Sequence, residues 1–215
     1  RALPLGELAA VPGAEHDAVN RAVYWALVED FLYHLPWLGL FMTRVGAVRA
    51  CQENALRLGA LVNDLLELSQ LESQQFHAEC DMLDLHKLVD SSLATFQIAA
   101  RDKQIDVTSH VPTPFFVYAN ASGLDHVLGN LLQNAINYCP SGSKVVVGAE
   151  VAVHGTVITV ADNGPGIPAQ HLPRLFERFY RVDTGRSRSV GGTGLGLSIV
   201  RHWVESMGGT VSVTT

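Results

Sequence analysis

Apolar positions recur along this chain with more than one period. From His16 to about Leu35, the residues Val19, Val23, Ala26, Leu27 and Phe31 share one side of a helix. Pro36 and Gly39 predict a break. A second helix is predicted from about Arg44 to Leu71, with Val48, Cys51, Ala55, Leu58, Val62 and Leu65 at alternating steps of three and four. Such a heptad seam packs helix against helix at a small angle. A hairpin of two such helices cannot bury both its faces alone, so pairing with a second copy into a four-helix bundle is expected.

Past Leu71 the pattern changes to mixed helix and strand. Ser73 to Asp81 is polar and irregular and predicts a domain boundary. Asp84 is placed to cap a helix with Leu85, Leu88, Val89, Leu93 and Phe96 inward. Short strands are predicted at Ile105 to Val111 and Phe115 to Tyr118. Asn120 or Ser122 caps the next helix, which turns Leu124, Val127, Leu128, Leu131 and Leu132 inward. After a turn at Pro140, Ser141 and Gly142 come strands at Lys144 to Val153 and Thr156 to Ala161. Near the end, Ile199, Val200, Trp203, Val204 and Met207 mark a helix that Gly208 and Gly209 stop. Thr210 to Thr214 reads as a last strand. The expected arrangement is one sheet with helices on one face.

The totals narrow the class. The chain has 215 residues, 47% of them apolar, enough for one large domain or two small ones with a real core. A formal net charge of −6 and the lack of a basic run argue against nucleic acid as a partner. Cys51, Cys80 and Cys139 match no metal or disulfide spacing and read as reduced core thiols. The most apolar run, Phe31 to Met42, is too short to span a bilayer and holds His34 and Pro36. The chain is expected to be soluble and cytoplasmic. Any membrane anchor would lie in segments outside it.

Four blocks carry chemistry. Gly191, Gly192, Gly194 and Gly196 open directly into the last helix. A glycine-rich loop there offers backbone N–H groups and the positive end of a helix dipole to an anion, phosphate above all. From this stretch alone, a flexible surface turn reads the same. Asn130, Asn134 and Asn137, at steps of four and three, share a helix face. They form either a solvated polar face or a row of amides for phosphate and a hard cation such as Mg²⁺. Asp162, Gly164, Gly166 and Ile167 follow a strand. They make either an ordinary turn or a carboxylate facing an exocyclic amine, with glycines that let a flat ring approach the backbone. The aromatics of Phe176 to Arg181 are equally compatible with ordinary core.

In this order the blocks resemble the ATP-binding domain of sensor histidine kinases, the fold shared with gyrase, Hsp90 and MutL. NLLQNAINY is similar to that family's N box, DNGPGIP to its G1 box, FERFYR to its F box and GGTGLGLSIV to its G2 box. The resemblance runs from about Leu56 to Val213. It implies an α+β protein, with an N-terminal helical hairpin forming a dimeric four-helix bundle and then an α/β two-layer sandwich of the GHKL ATPase type. The implied domains are a lead-in over 1–14, a dimerisation and histidine phosphotransfer hairpin over 15–75, and an ATP-binding catalytic domain over 76–215. Thr215 falls short of the family's usual closing strand, so a trimmed chain is expected.

Carried over by position, the resemblance assigns Asn134 to Mg²⁺ and Asn130 to the triphosphate, with Asn137 and Tyr138 lining the site. Asp162 would take the adenine amino group, above a floor of Gly164, Gly166 and Ile167. Gly192, Thr193, Gly194, Leu195, Gly196 and Leu197 would form the phosphate loop. Pro168 to Val190 would be a lid, to which Phe179 belongs, and from it Arg181, Arg186 or Arg188 would reach phosphate. Asn137 stands where many relatives carry a basic residue.

The family's usual His-Glu-Leu-Arg-Thr-Pro motif is absent. LGALVNDLLELSQLES nevertheless resembles the second half of its hairpin, and counting back by the hairpin's length from Glu72 reaches His16. The resemblance then makes His16 the phosphoacceptor, Asp17 its general base, and Asn20 the orienter of a water for the reverse, phosphatase reaction. Arg21 stands where proline is usual, and His34 is the alternative acceptor. The implied function is that of a protein-histidine kinase. It would phosphorylate itself from Mg-ATP and pass the phosphoryl group to the aspartate of a response-regulator receiver domain. Two other readings are an ATP-binding pseudokinase scaffold with a decayed histidine motif, and a GHKL ATPase that forms no phosphohistidine.

Overall fold

A computed structural model describes residues 36–73, 78–153, 155–182 and 192–215. The helix predicted from His16 to Leu35 lies outside them, and the helical hairpin with it. The chain divides into two compact units, Arg1–Leu56 and Arg57–Thr215.

Helix α1 runs over Pro36–Leu71. The break expected at Gly39 is not there; Pro36 opens the helix, and the residues before it lie outside those described. In the first turn of a helix, proline forfeits only an N–H that has no intrahelical partner. One interior glycine costs about 1 kcal/mol, too little to end a helix of this length. The seam positions Val48, Leu58, Val62 and Leu65 are exposed, and so is Cys51, which the composition had suggested was core.

The second unit continues with β1 (Asp81–Asp84), α2 (Leu85–Asp102), β2 (Asp106–His110), β3 (Phe116–Ala119), α3 (Ala121–Tyr138), β4 (Lys144–Ala152) and β5 (Gly155–Asp162). A 3₁₀ turn, Ala169–Arg174, and helix α4, Gly196–Ser206, follow. Asn120 is the cap of α3: its Oδ1 accepts from Gly123 N at 2.8 Å. Asp84 sits at the N-cap of α2 but makes no side-chain cap. Its carboxylate turns to Lys87 instead, at 3.0 Å, and that hydrogen bond holds it below the usual aspartate range. Gly208 takes a φ of +77°, the left-handed turn that ends α4.

Three expectations are corrected. Asp81 to Asp84, whose start had read as irregular, forms β1 by pairing antiparallel with β3. Among the described residues there are two sheets rather than one: β1–β3, and β2–β4–β5 with β2 parallel and β5 antiparallel to β4. Thr210 to Thr214 is not a strand. Alternating valine and threonine favour extended backbone, but a strand also needs a ladder partner, and none stands beside this segment among the described residues. By the same sheet order β5 keeps an unpaired outer edge among the described residues, and Val151 and Val157 of this hairpin are exposed.

Helix α3 divides the core. Leu128, Leu132 and Ile136 face α2 and the longer sheet, where Leu85, Val89, Val145 and Val147 are almost fully buried. Val127 faces the other way, into a cluster with Leu68, Leu195, Ile199, Val200 and Trp203. Fully burying such a side chain contributes roughly 1.5–3 kcal/mol, so both clusters hold α3 in place. The fit at Trp203 is tight: a Cβ at Gly123 would lie 2.4 Å from its ring. Gly123→Ala is therefore expected to destabilise the protein by about 1–3 kcal/mol through overpacking. Urea unfolding of the two proteins measures this directly.

Candidate functional site

Three segments converge on the C-terminal part of α3: the glycine loop before α4, the stretch Phe179 to Arg181, and the loop after β5. The glycine loop before α4 is the first. A Cβ at residue 196 would lie 2.6 Å from Asn130 Oδ1, so any side chain there would force the Asn130 amide to turn away. Gly194 has a φ of +75°, and its Cβ would lie 2.9 Å from the Cα of Phe179. Phe179 itself is left-handed, with φ of 61°, a strained conformation for an aromatic residue. It is held there by its N–H, which donates to the Gly194 carbonyl at 2.8 Å. Between the two glycines, Leu195 is fully buried and pins the loop to the core.

Near Gly192 lie Tyr138 and Arg181. The Tyr138 hydroxyl is 3.6 Å from where a Cβ of Gly192 would stand, and Arg181 donates from Nη1 to the Gly192 carbonyl. The asparagine row occupies one face of α3. Asn130 Nδ2 donates to the His126 carbonyl at 3.0 Å, and Asn137 Oδ1 accepts from Gln133 at 3.1 Å. Among the described residues the half-buried Asn134 amide takes no hydrogen bond, which leaves its oxygen for an incoming group. Lys103 caps the end of α3 through the carbonyls of Ile136 and Asn137, at 2.7 and 2.9 Å.

The third segment follows β5. Asp162 is exposed and ends the strand opposite Val145. Its Oδ1 accepts from Gly164 N at 2.9 Å and from the thiol of Cys139 at 3.3 Å. A Cβ at Gly164 would press on both groups, 2.7 Å from Asp162 Oδ1 and 2.9 Å from Cys139 Sγ. Gly166 has a φ of +69°, as a tight turn requires, and Ile167 is half-buried beside it.

The structure thus brings together Asn130 with Gly196, Tyr138 and Arg181 with Gly192, and Phe179 with Gly194. Leu197 is half-buried in the first turn of α4. His16, Asp17, Asn20, His34, Arg186 and Arg188 lie outside the described residues.

Sequence reasoning passed over a row of acids on α1. Asp64 Oδ2 accepts from the Thr193 hydroxyl at 2.7 Å, and the same hydroxyl accepts from Leu195 N at 3.2 Å. Glu67 Oε1 accepts from Trp203 Nε1 at 2.6 Å and meets His126 Nδ1 at 2.9 Å. Glu72 pairs with Arg178 and, at 3.1 Å, with His202. The signal was present: positions 64, 67, 68, 71 and 72 repeat at steps of three and four, and Leu68 among them is buried. Cys139 was the other omission. Burial first, then the Asp162 side chain, push its thiol up to about 11, so it stays protonated at neutral pH. Iodoacetamide at pH 8 is expected to leave Cys139 unmodified in the native protein and to label it in denaturant, which peptide mass mapping reads out.

Comparison with known proteins identifies the fold that carries this geometry. Residues 119–215 match the family described as histidine kinase-, DNA gyrase B-, and HSP90-like ATPase. The sensor-like histidine kinase SenX3 of Mycolicibacterium smegmatis is 36% identical over 155 residues. That alignment spans 72% of this chain and 40% of the relative's length. Among solved structures, the mycobacterial sensor histidine kinase MprB is 33% identical, with a TM-score of 0.51 over 60% of this chain and 81% of that one. Full-length ShkA in complex with AMPPNP is 27% identical, with a TM-score of 0.65 over 78% of this chain and 34% of that one. The second unit has the GHKL-type catalytic fold, a mixed α+β architecture.

Proposed function

The chain belongs to the sensor histidine kinases, and from that premise we propose that it phosphorylates one of its own histidines from Mg-ATP and then passes the phosphoryl group to an aspartate on a response-regulator receiver domain. One juxtaposition carries this reading. The glycine loop at the N-terminus of α4 lies against the amide face of α3, so close that a side chain at 196 would strike Asn130. Backbone N–H groups at a helix N-terminus suit phosphate, and amide oxygens suit a hard cation. The half-buried Asn134 amide, with no partner among the described residues, fits that second role.

When bound, ATP supplies the γ-phosphoryl group, and Mg²⁺ neutralises charge developing on it. Asn134 would hold the cation, and Asn130 would stand beside the triphosphate. Gly192, Gly194 and Gly196 let the loop backbone approach the phosphates, and Arg181 adds positive charge. Asp162 accepts from the adenine amino group over Gly164 and Gly166. Phosphoryl transfer proceeds through a loose transition state, so these residues act by positioning and charge neutralisation. The neutral imidazole of His16 forms the new N–P bond as the bond from γ-phosphorus to ADP breaks, and Asp17 takes or orients the proton on its other nitrogen. Asn20 orients a water for the reverse reaction on the regulator. The exposed seam of α1 pairs in a homodimer, with the helix predicted from His16 to Leu35 as its hairpin partner. In this scheme 15–75 is the hairpin and 76–215 the catalytic domain, placed on the cytoplasmic side of any membrane anchor. No helix among the described residues is long and apolar enough to cross a membrane itself.

Incubation with γ-labelled ATP and Mg²⁺ tests the scheme. The parent is expected to take up acid-labile, alkali-stable label, the behaviour of a phosphoramidate. His16→Ala and Asn134→Asp are each expected to abolish it. Label retained on His16→Ala would overturn that acceptor, and label retained on Asn134→Asp would overturn the cation assignment. Nucleotide binding with no label on the parent would favour the scaffold reading.

A further inference from the structure

Cys139 carries the one buried thiol among the described residues, and the proposed mechanism leaves it unused. It stands at the C-cap of α3, 6% exposed, with its N–H bonded to the Ala135 carbonyl at 2.9 Å. Ordinary packing explains a buried cysteine, but not the direction of its sulfur. The sulfur points at Asp162 Oδ1, 3.3 Å away, while Gly164 N donates to the same oxygen from 2.9 Å. Among the described residues the other carboxylate oxygen, Oδ2, accepts no hydrogen bond.

We infer that Cys139 is a positioning residue for nucleobase recognition: by donating its thiol hydrogen to Asp162 Oδ1, it fixes the carboxylate plane so that Oδ2 is the acceptor offered to a base. The inference rests on the reading of Asp162 as the adenine acceptor. A carboxylate at an exposed strand end can rotate about its terminal torsion, which is soft and roughly two-fold. Two donors converging on one oxygen from fixed backbone and from the end of a helix remove that freedom. A single acceptor presented at a fixed angle favours an N–H at the base edge and disfavours a carbonyl there. It thus separates adenine from guanine, whose edge carries an oxygen at that position. A site built to pair with one polar pattern rejects the opposite one because a group is left unpaired.

Two further observations support the role. The thiol stays protonated through the neutral range, so the donor is present wherever the protein works. A Cβ at Gly164 would collide with both Cys139 Sγ and Asp162 Oδ1, so the floor of the pocket and the thiol are fitted to one another. Cys139 also directly follows the helix that carries Asn130, Asn134 and Asn137. It therefore ties the base end of the site to the phosphate end.

The test uses the full chain, with ADP and GDP affinities measured by competition calorimetry. Cys139→Val keeps an apolar side chain and loses the donor. Cys139→Ser keeps a donor. Asp162→Asn serves as the control for the underlying reading. Loss of one side-chain hydrogen bond is expected to weaken ADP about fivefold in Cys139→Val, leave GDP nearly unchanged, and so narrow the preference between them. Cys139→Ser is expected to hold the preference within about twofold of the parent on the same scale. An equal loss for ADP and GDP in Cys139→Val would show a merely structural role and overturn the proposal. An unchanged preference in Cys139→Val alongside a weakened Asp162→Asn would overturn it while leaving the adenine reading intact. Unchanged ADP binding in Asp162→Asn would bring down that reading and this inference together.

Discussion

The glycine loop lies where it does because residues 194 and 196 have no side chains. At both positions a single carbon would collide with a neighbour, backbone in one case and the Asn130 amide in the other. Between them Leu195 is fully buried. The loop is therefore threaded: glycine against Phe179, leucine into the core, glycine against α3. This threading sets the start of α4 beside Asn130 on the asparagine face, and everything proposed about phosphate follows from that placement. It also accounts for the left-handed Phe179, whose strain is offset by its bond to Gly194.

Helix α3 is the second constraint. It is apolar on two sides and polar on a third, so it serves both clusters while presenting its amides between them. Its two ends are fixed differently. Asn120 caps the start, and Lys103 covers the last carbonyls from the end of α2. The second half of α1 closes over the α4 side. Leu68 enters the core there, and Asp64, Glu67 and Glu72 grip Thr193, Trp203, Arg178 and His202 around it. The surface ion pairs among these contribute little individually, about 0–1 kcal/mol each. Most of the holding is done by the buried leucine and the bonds to Trp203 and Thr193.

Much of this was legible in the sequence because it rests on local rules. The helices of the second unit announced themselves by period, the cap by Asn120, the stop by Gly208, and the glycine loop by its run into an apolar helix. What was not legible depends on partners distant in the chain. Strand β1 exists because Phe116 to Ala119 is beside it, and Thr210 to Thr214 is no strand because no ladder is. The split into two sheets is a matter of pairing, which alternation of side chains does not encode. The acids at 64, 67 and 72 drew no assignment, because their partners at 178, 193, 202 and 203 lie more than a hundred residues away. Cys139 read as core, which it is, but its hydrogen bond spans to residue 162. Of the candidate site, the blocks were visible one by one. Which atom of one meets which atom of another was not.

The outer edge of β5, unpaired among the described residues, has a consequence for handling this chain in solution. An open strand edge beside exposed valines at 151 and 157 is a template on which another chain can add a strand. Little besides like-charge repulsion opposes that association, and the net charge of −6 is modest for a chain of 215 residues. As the pH falls toward the isoelectric point of about 5.8, the net charge and with it that repulsion fade. Strand addition at this edge is therefore least opposed near that pH, where the charge that keeps copies of the chain apart is smallest.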